Sequence, residues 1–233
     1  MREYFFRLPA EYFDENREKY IEAYQLFKED FSRQVYLAKV RRAFLMSDIA
    51  EEIERENKII NDLLSLVKMD KAAGGLNISV VNINELLEMI MKRLRPIAEK
   101  QNIELVLESF RPVSAEIDEV KLSLALNNLV ENAIKYNRKD GWVHVSLNAD
   151  HKYFFVRVED SGIGIPEEYL EHIYERFFRV DKSHSREIGG TGLGLAITRN
   201  AVLMHRGAIK AHSKEGEGTC LHFVFRKYRE MAE

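Results

Sequence analysis

A chain of 233 residues, 45% hydrophobic and 31% charged, is long enough for one or two domains with real cores. Its net charge of −3 gives no electrostatic reason to expect nucleic acid or an anionic membrane as partner. One cysteine, Cys220, excludes an intrachain disulfide framework and fits a reducing, cytoplasmic setting. No run approaches the ~20 apolar residues of a bilayer span and no signal peptide is visible, so a membrane-anchored sensor would lie outside this sequence.

Taken in order, residues 1–44 hold eleven of the 24 aromatics, and the next one is Phe110. The shift marks a boundary and suggests a segment of different origin, natural or engineered. Tyr20, Tyr24, Phe27, Phe31 and Val35 follow helical spacing, which reads as a packing face. From 44 to 69 a long helix is expected, with Ile49, Ile53, Ile60, Leu63 and Val67 as a bundle seam and Glu56 its one non-apolar slot. The charges between them read as a solvated face. Ala72, Ala73, Gly74 and Gly75 should end the helix and form a hinge. The expected organisation is an α-helical hairpin region for dimerisation over 1–73 and a second domain over 78–233.

In that second domain Asn82 can cap a helix running to about Lys100 despite Pro96, followed by a first strand near 103–108. A helix over 118–136, strands at 142–147 and 153–158, a helix over 193–204, and strands at 208–212 and 219–225 complete the pattern. Helices and strands mix without strict βαβ repetition, which predicts an α+β fold, a two-layer α/β sandwich.

Four stretches carry the chemistry. Asp160-Ser161-Gly162-Ile163-Gly164-Ile165-Pro166 follows the strand at 153–158. Its ionised carboxylate only accepts hydrogen bonds, and an adenine amino group is one donor of matching shape. Gly162 and Gly164 let the chain turn and bring bare backbone close to a flat ligand. Alone, the heptad is an ordinary turn. Upstream, Asn128, Asn132 and Lys135 share one helical face, with Tyr136 beside them. Downstream come Phe177-Phe178-Arg179 and then Gly189-Gly190-Thr191-Gly192-Leu193-Gly194-Leu195. Backbone N–H groups at such a glycine-rich helix start can cradle phosphate.

In this order and spacing the stretches resemble the N, G1, F and G2 boxes of the sensor histidine kinase catalytic domain, which shares its ATP-binding fold with gyrase, MutL and a heat-shock chaperone family. The resemblance covers about residues 78–226. The helix ending near Met69 is also similar to the second helix of that family's dimerisation hairpin. The resemblance implies ATP and Mg²⁺ as ligands and places Asp160, Gly162, Gly164 and Ile165 at the nucleotide. It implies Asn132 as the magnesium ligand, Lys135 near phosphate and Tyr136 flanking the nucleotide. It makes Arg179 the candidate catalytic contact to the γ-phosphate, where a guanidinium fork suits the oxygens. Lys182 lies in a polar lid that should move, and phosphate contact and plain surface charge are open readings for it and for Arg186. Gly190, Thr191, Gly192, Leu193, Gly194 and Leu195 would form the phosphate loop, and Thr219 would back the adenine site.

Asn128 stands where the related ATPases carry a water-activating glutamate. An amide is no general base at neutral pH, which favours kinase over ATPase. Glu131 is expected to point elsewhere. The family's phosphoacceptor histidine is missing: all seven histidines, from His144 to His222, follow the Asn128–Tyr136 stretch. Expected partners are a second copy of the chain through the N-terminal helices and a response regulator receiver domain or a separate histidine-bearing hairpin. The competing class is a non-catalytic, nucleotide-binding dimeric scaffold.

Overall fold

The computed structural model describes residues 17–70, 75–180 and 190–228. Its first element, α1, is one unbroken helix of 54 residues over Arg17–Asp70. The helical segment expected ahead of the sandwich is therefore present, and it is consistent with part of a helical hairpin. The compositional boundary near Phe44 leaves no break in it, since aromatic and heptad segments are both compatible with continuous helix.

The chain separates into two compact units, Met1–Glu54 and Arg55–Glu233. In the first, Tyr24, Phe27, Phe31, Ile49 and Ile53 are all exposed. Phe27 and Phe31, one turn apart, stack with ring centroids 6.1 Å from each other. The second unit begins inside α1, so residues 55–70 belong with the α/β body. The hinge expected at 72–75 falls largely on residues outside those described.

Strand β1 (Ser79–Asn82) leads into α2 (Ile83–Lys100). Asn82 caps the helix as expected, accepting from the backbone N–H groups of Asn84 and Glu85. Pro96 costs one intrahelical bond without ending the helix. Then follow β2 (Glu104–Ser109), β3 (Ser114–Ile117), α3 (Glu119–Lys135), β4 (Trp142–Ala149) and β5 (Tyr153–Asp160). A short 3-10 helix (Glu167–Tyr169), α4 (Gly194–Met204), β6 (Ala208–Lys214) and β7 (Gly218–Arg226) close the chain. The strand expected at 103–108 is thus the second, and β1 and β3, four residues each, went unanticipated. So short a pair shows little alternation; it forms because each strand finds the other, antiparallel from Ser79 opposite Ile117 to Asn82 opposite Ser114.

The main sheet has the order β2-β4-β5-β7-β6, with β2 parallel to β4 and the other pairs antiparallel. Period-two alternation sends Val143, Val145 and Leu147, Phe154, Val156 and Val158, and Leu221, Phe223 and Phe225 to one face. There they meet Leu86, Leu87 and Ile90 of α2, Leu122, Leu126 and Leu129 of α3, and Val202 of α4 in one core. The opposite face keeps Arg157 exposed and His144, Glu159 and His222 half-buried. This is the expected two-layer α/β sandwich, and it leaves the strand ends and helix ends beside β5 free to build a site.

Candidate functional site

The site grows from the end of β5. Asp160 lies in register with Thr219 of β7. Its Oδ1 accepts from the backbone N–H of Gly162 at 2.9 Å and of Thr219 at 3.2 Å. Oδ2 takes no hydrogen bond among the described residues. Burial pushes the carboxyl up to about 6, against the pull of those two donors. Such a group, half-sequestered and with one acceptor oxygen open, is built to receive a donor.

Neighbouring backbone is drawn in tightly. A Cβ at Gly162 would lie 2.4 Å from the carbonyl oxygen of Tyr136, and Gly164, at φ +70°, would place one 2.0 Å from that of Lys214. Ile163 donates to the Tyr136 carbonyl at 3.0 Å, and Gly216 donates to that of Ile163 at 2.7 Å. The loop is thereby held between the end of α3 and the β6–β7 turn. Ser213 completes the arrangement: its hydroxyl accepts from Ile165 N–H at 2.8 Å, donates to Gly218 C=O at 2.8 Å and sits 2.9 Å from Thr219 Oγ1. Nothing in the sequence around Ser213 distinguished it from any strand serine.

Helix α3 supplies the second wall. Asn128 is 8% exposed and its Nδ2 reaches the Gly194 carbonyl at 3.5 Å. Asn132 also borders Gly194, where a Cβ would lie 3.7 Å from its Nδ2. The Asn132 side-chain amide makes no hydrogen bond among the described residues. Lys135 pairs with Glu131 at 2.8 Å, and Glu131 also takes Lys58 at 2.6 Å. Glu131 therefore shares the neighbourhood it was expected to avoid. Burial opposes its ionisation, yet Lys135 and Lys58 outweigh that and hold it below the ordinary glutamate range. Gly190 borders the Tyr136 hydroxyl, 2.7 Å from where a Cβ would stand.

The glycine loop is anchored from beneath. Thr191 Oγ1 donates to Asp62 Oδ2 at 2.9 Å and accepts from Leu193 N–H at 3.2 Å. Leu193 is fully buried with Leu66, Ala196, Ile197 and Ala201, and Leu195 packs on the main core. These two leucines thus seat the loop, while Gly190, Thr191, Gly192 and Gly194 form it. Phe177, at φ 63°, donates its N–H to Gly192 C=O at 2.9 Å, and Phe178 packs on Tyr169 and His172. Arg179 follows, partly buried. Lys182, His184 and Arg186 lie outside the described residues.

Sequence reasoning missed Lys58 and Asp62, which sit in the charge run taken for a solvated face. Asp62 is only 9% exposed and Leu66 only 1%. The signal was their spacing: residues 58, 62 and 66 fall one turn apart on a single face.

Residues 117–229 match the family described as histidine kinase-, DNA gyrase B-, and HSP90-like ATPase. The sensor histidine kinase WalK of Bacillus subtilis (strain 168) is 37% identical over 185 residues, 78% of this chain and 30% of the relative. The chain thus spans about a third of the length of such relatives. A nucleotide-free catalytic domain of histidine kinase ThkA is similar with a TM-score of 0.59 and 29% identity, over 66% of this chain and 97% of that one. Full-length ShkA in complex with AMPPNP is similar with a TM-score of 0.65 and 27% identity, over 72% of this chain and 35% of that one.

Proposed function

Because the chain belongs, through residues 117–229, to the ATP-binding catalytic domains of sensor histidine kinases, we propose that it binds Mg²⁺–ATP and transfers the γ-phosphoryl group to a histidine on another polypeptide. The observation that carries this reading is the half-buried Asp160 carboxylate at the end of β5: Oδ1 is fixed by two backbone donors, while Oδ2 has no hydrogen-bond partner among the described residues. That oxygen accepts the adenine amino group. Gly162 and Gly164 admit the base, Thr219 and Ser213 hold the aspartate's surroundings, and Tyr136 flanks the nucleotide.

The triphosphate then runs toward Gly190, Thr191, Gly192 and Gly194, with Lys135 and Arg179 as cationic partners. A hard, oxygen-seeking ion fits Asn132, whose amide has no partner among the described residues; when bound, magnesium neutralises phosphate charge. In the transfer step a neutral imidazole nitrogen forms the new N–P bond while the β–γ bridging O–P bond breaks and ADP leaves. Asn128 supplies no base for water, so hydrolysis is disfavoured.

The acceptor comes from outside the chain, because no histidine precedes His144. A hairpin bearing histidine and the receiver domain of a response regulator are the fitting partners in a two-component signalling pathway. The exposed Ile49, Ile53, Ile60 and Val67 suit pairing with a second copy. Incubation with γ-labelled ATP, alone and with a histidine-bearing hairpin of a related kinase, tests the assignment. Label should appear on the added hairpin and not on this chain. The same missing histidine favours a second reading, a nucleotide-responsive scaffold, which predicts ATP binding with no label on either protein.

A further inference from the structure

Two of the groups proposed to meet phosphate are already engaged by carboxylates. Thr191 gives its hydroxyl proton to Asp62 at 2.9 Å, and the Lys135 ammonium sits 2.8 Å from Glu131. Glu131 is tied in turn to Lys58 at 2.6 Å. Lys58 and Asp62 both come from the end of α1, and Leu66, one turn further, is buried with Leu193, Ala196 and Ile197 under the glycine loop. One face of α1 thus touches the site at three successive turns. Asp62 is 9% exposed, so its contact is not a loose surface encounter.

An anionic oxygen on Thr191 and another on Lys135 occupy the donors that a triphosphate needs. A hydroxyl has one proton to give, and Thr191 cannot offer it to Asp62 and to a phosphate together. Asp62 also brings negative charge to the loop where phosphate charge must arrive, in a partly desolvated setting where like charges repel strongly. Asp160, proposed to take the adenine, is held by the backbone of Gly162 and Thr219 and hydrogen-bonds to none of these groups.

Resting on the nucleotide reading above, we infer that Asp62 of α1 is an internal stand-in for phosphate: it holds the glycine loop through Thr191 while the site is empty and must yield when a triphosphate binds. Binding of ATP and seating of residues 58–66 against the body are therefore coupled in opposition. By reciprocity, whatever strips α1 from the loop raises ATP affinity, and ATP loosens α1. Adenosine, with no phosphate, leaves the contact alone.

The test compares the parent chain with its Asp62→Ala and Asp62→Asn variants in calorimetric titrations with Mg²⁺–ATP and with adenosine. Both variants should bind ATP about fivefold or more tightly than the parent, a typical lower bound for such coupling, with adenosine affinity unchanged. In the unmodified chain, hydrogen exchange across residues 58–67 should quicken with ATP and not with adenosine. ATP affinity equal to or below the parent's in both variants, or exchange that stays level or slows, overturns the inference alone. Failure of the parent and both variants to bind any ATP overturns the nucleotide reading and the inference with it.

Discussion

Asp160 and Thr219 face each other in register across β5 and β7, and the Thr219 N–H donates to the Asp160 carboxylate at 3.2 Å. The carboxyl is nonetheless raised from 3.8 to about 6, so desolvation wins over two backbone donors. Its folded value exceeds its unfolded one, so the protonated form is favoured by folding and stability falls as pH rises from about 4 to about 6. Replacing Asp160 with Asn should therefore stabilise the empty protein at neutral pH by about 2 kcal/mol, after discounting for partial exposure. Adenosine affinity of the parent should drop as pH falls through about 6, because a protonated carboxyl no longer accepts freely, and the Asn variant should bind weakly at every pH. Thermal melts and titrations across pH 5–8 check both.

Asn132→Ala removes an amide with no partner among the described residues, so the fold should be indifferent. Mg²⁺–ATP affinity should fall about tenfold, or about 1.4 kcal/mol, with adenosine affinity unchanged. Calorimetry with and without magnesium separates the two; equal loss for both ligands would move the ion elsewhere.

Phe154 is fully buried and stacks on Phe225 at 4.9 Å between ring centroids. Phe154→Ala should cost about 3–5 kcal/mol and visibly lower Tm, since the core of a packed sandwich collapses only partly around a lost ring. A denaturant melt measures it.

Asp118 caps α3, the helix that carries Asn128 and Asn132. Its side chain accepts from Lys121 N–H at 3.0 Å and Asn77 N–H at 3.0 Å, and pairs with the Lys121 ammonium at 2.5 Å. Burial opposes ionisation here, but the Lys121 and Asn77 donors outweigh it and the carboxyl is lowered. The stability it contributes is present above its unfolded value of 3.8 and is lost as pH falls through the lower folded one. Asp118→Ala should cost about 1–2 kcal/mol at pH 7 and flatten the acid limb of a melt series.

The exposed seam of Ile49, Ile53, Ile60 and Val67 predicts a dimer at micromolar concentration. Light scattering on the parent and on an Ile53→Glu, Ile60→Glu double variant should show the dimer only in the former.

Legibility in the sequence followed the strength of the local signal. Eight-residue strands such as β4 and β5 alternate cleanly, α2 announces itself through Asn82 and α3 through its helical periodicity; all were visible. Strands β1 and β3 were not, because four residues paired only with each other carry no periodic pattern. Among the proposed site residues, Asp160, Asn132 and the glycines could be named because the four stretches together resemble the boxes of a known family. Ser213, Lys58 and Asp62 are ordinary polar residues in a strand and a charged helix, and only tertiary neighbours give them a task. Glu131 was misplaced: three residues at about 100° each leave it only about 60° from Asn128, and it pairs with Lys135 one turn on in the same helix as well as with Lys58 of α1.

Between residues 58 and 67, α1 is dressed differently on its two sides. Lys58, Asp62 and Leu66 look inward, while Ile60, Leu63, Leu64 and Val67 are exposed. A hydrogen-bonded helix fixes the azimuth of one row relative to the other at about 100° per residue. Whatever grips the outer row must then also set the angle at which the inner row meets the glycine loop. Axial roll of this helix would therefore shift the Asp62 carboxylate relative to Thr191, the contact it makes at 2.9 Å.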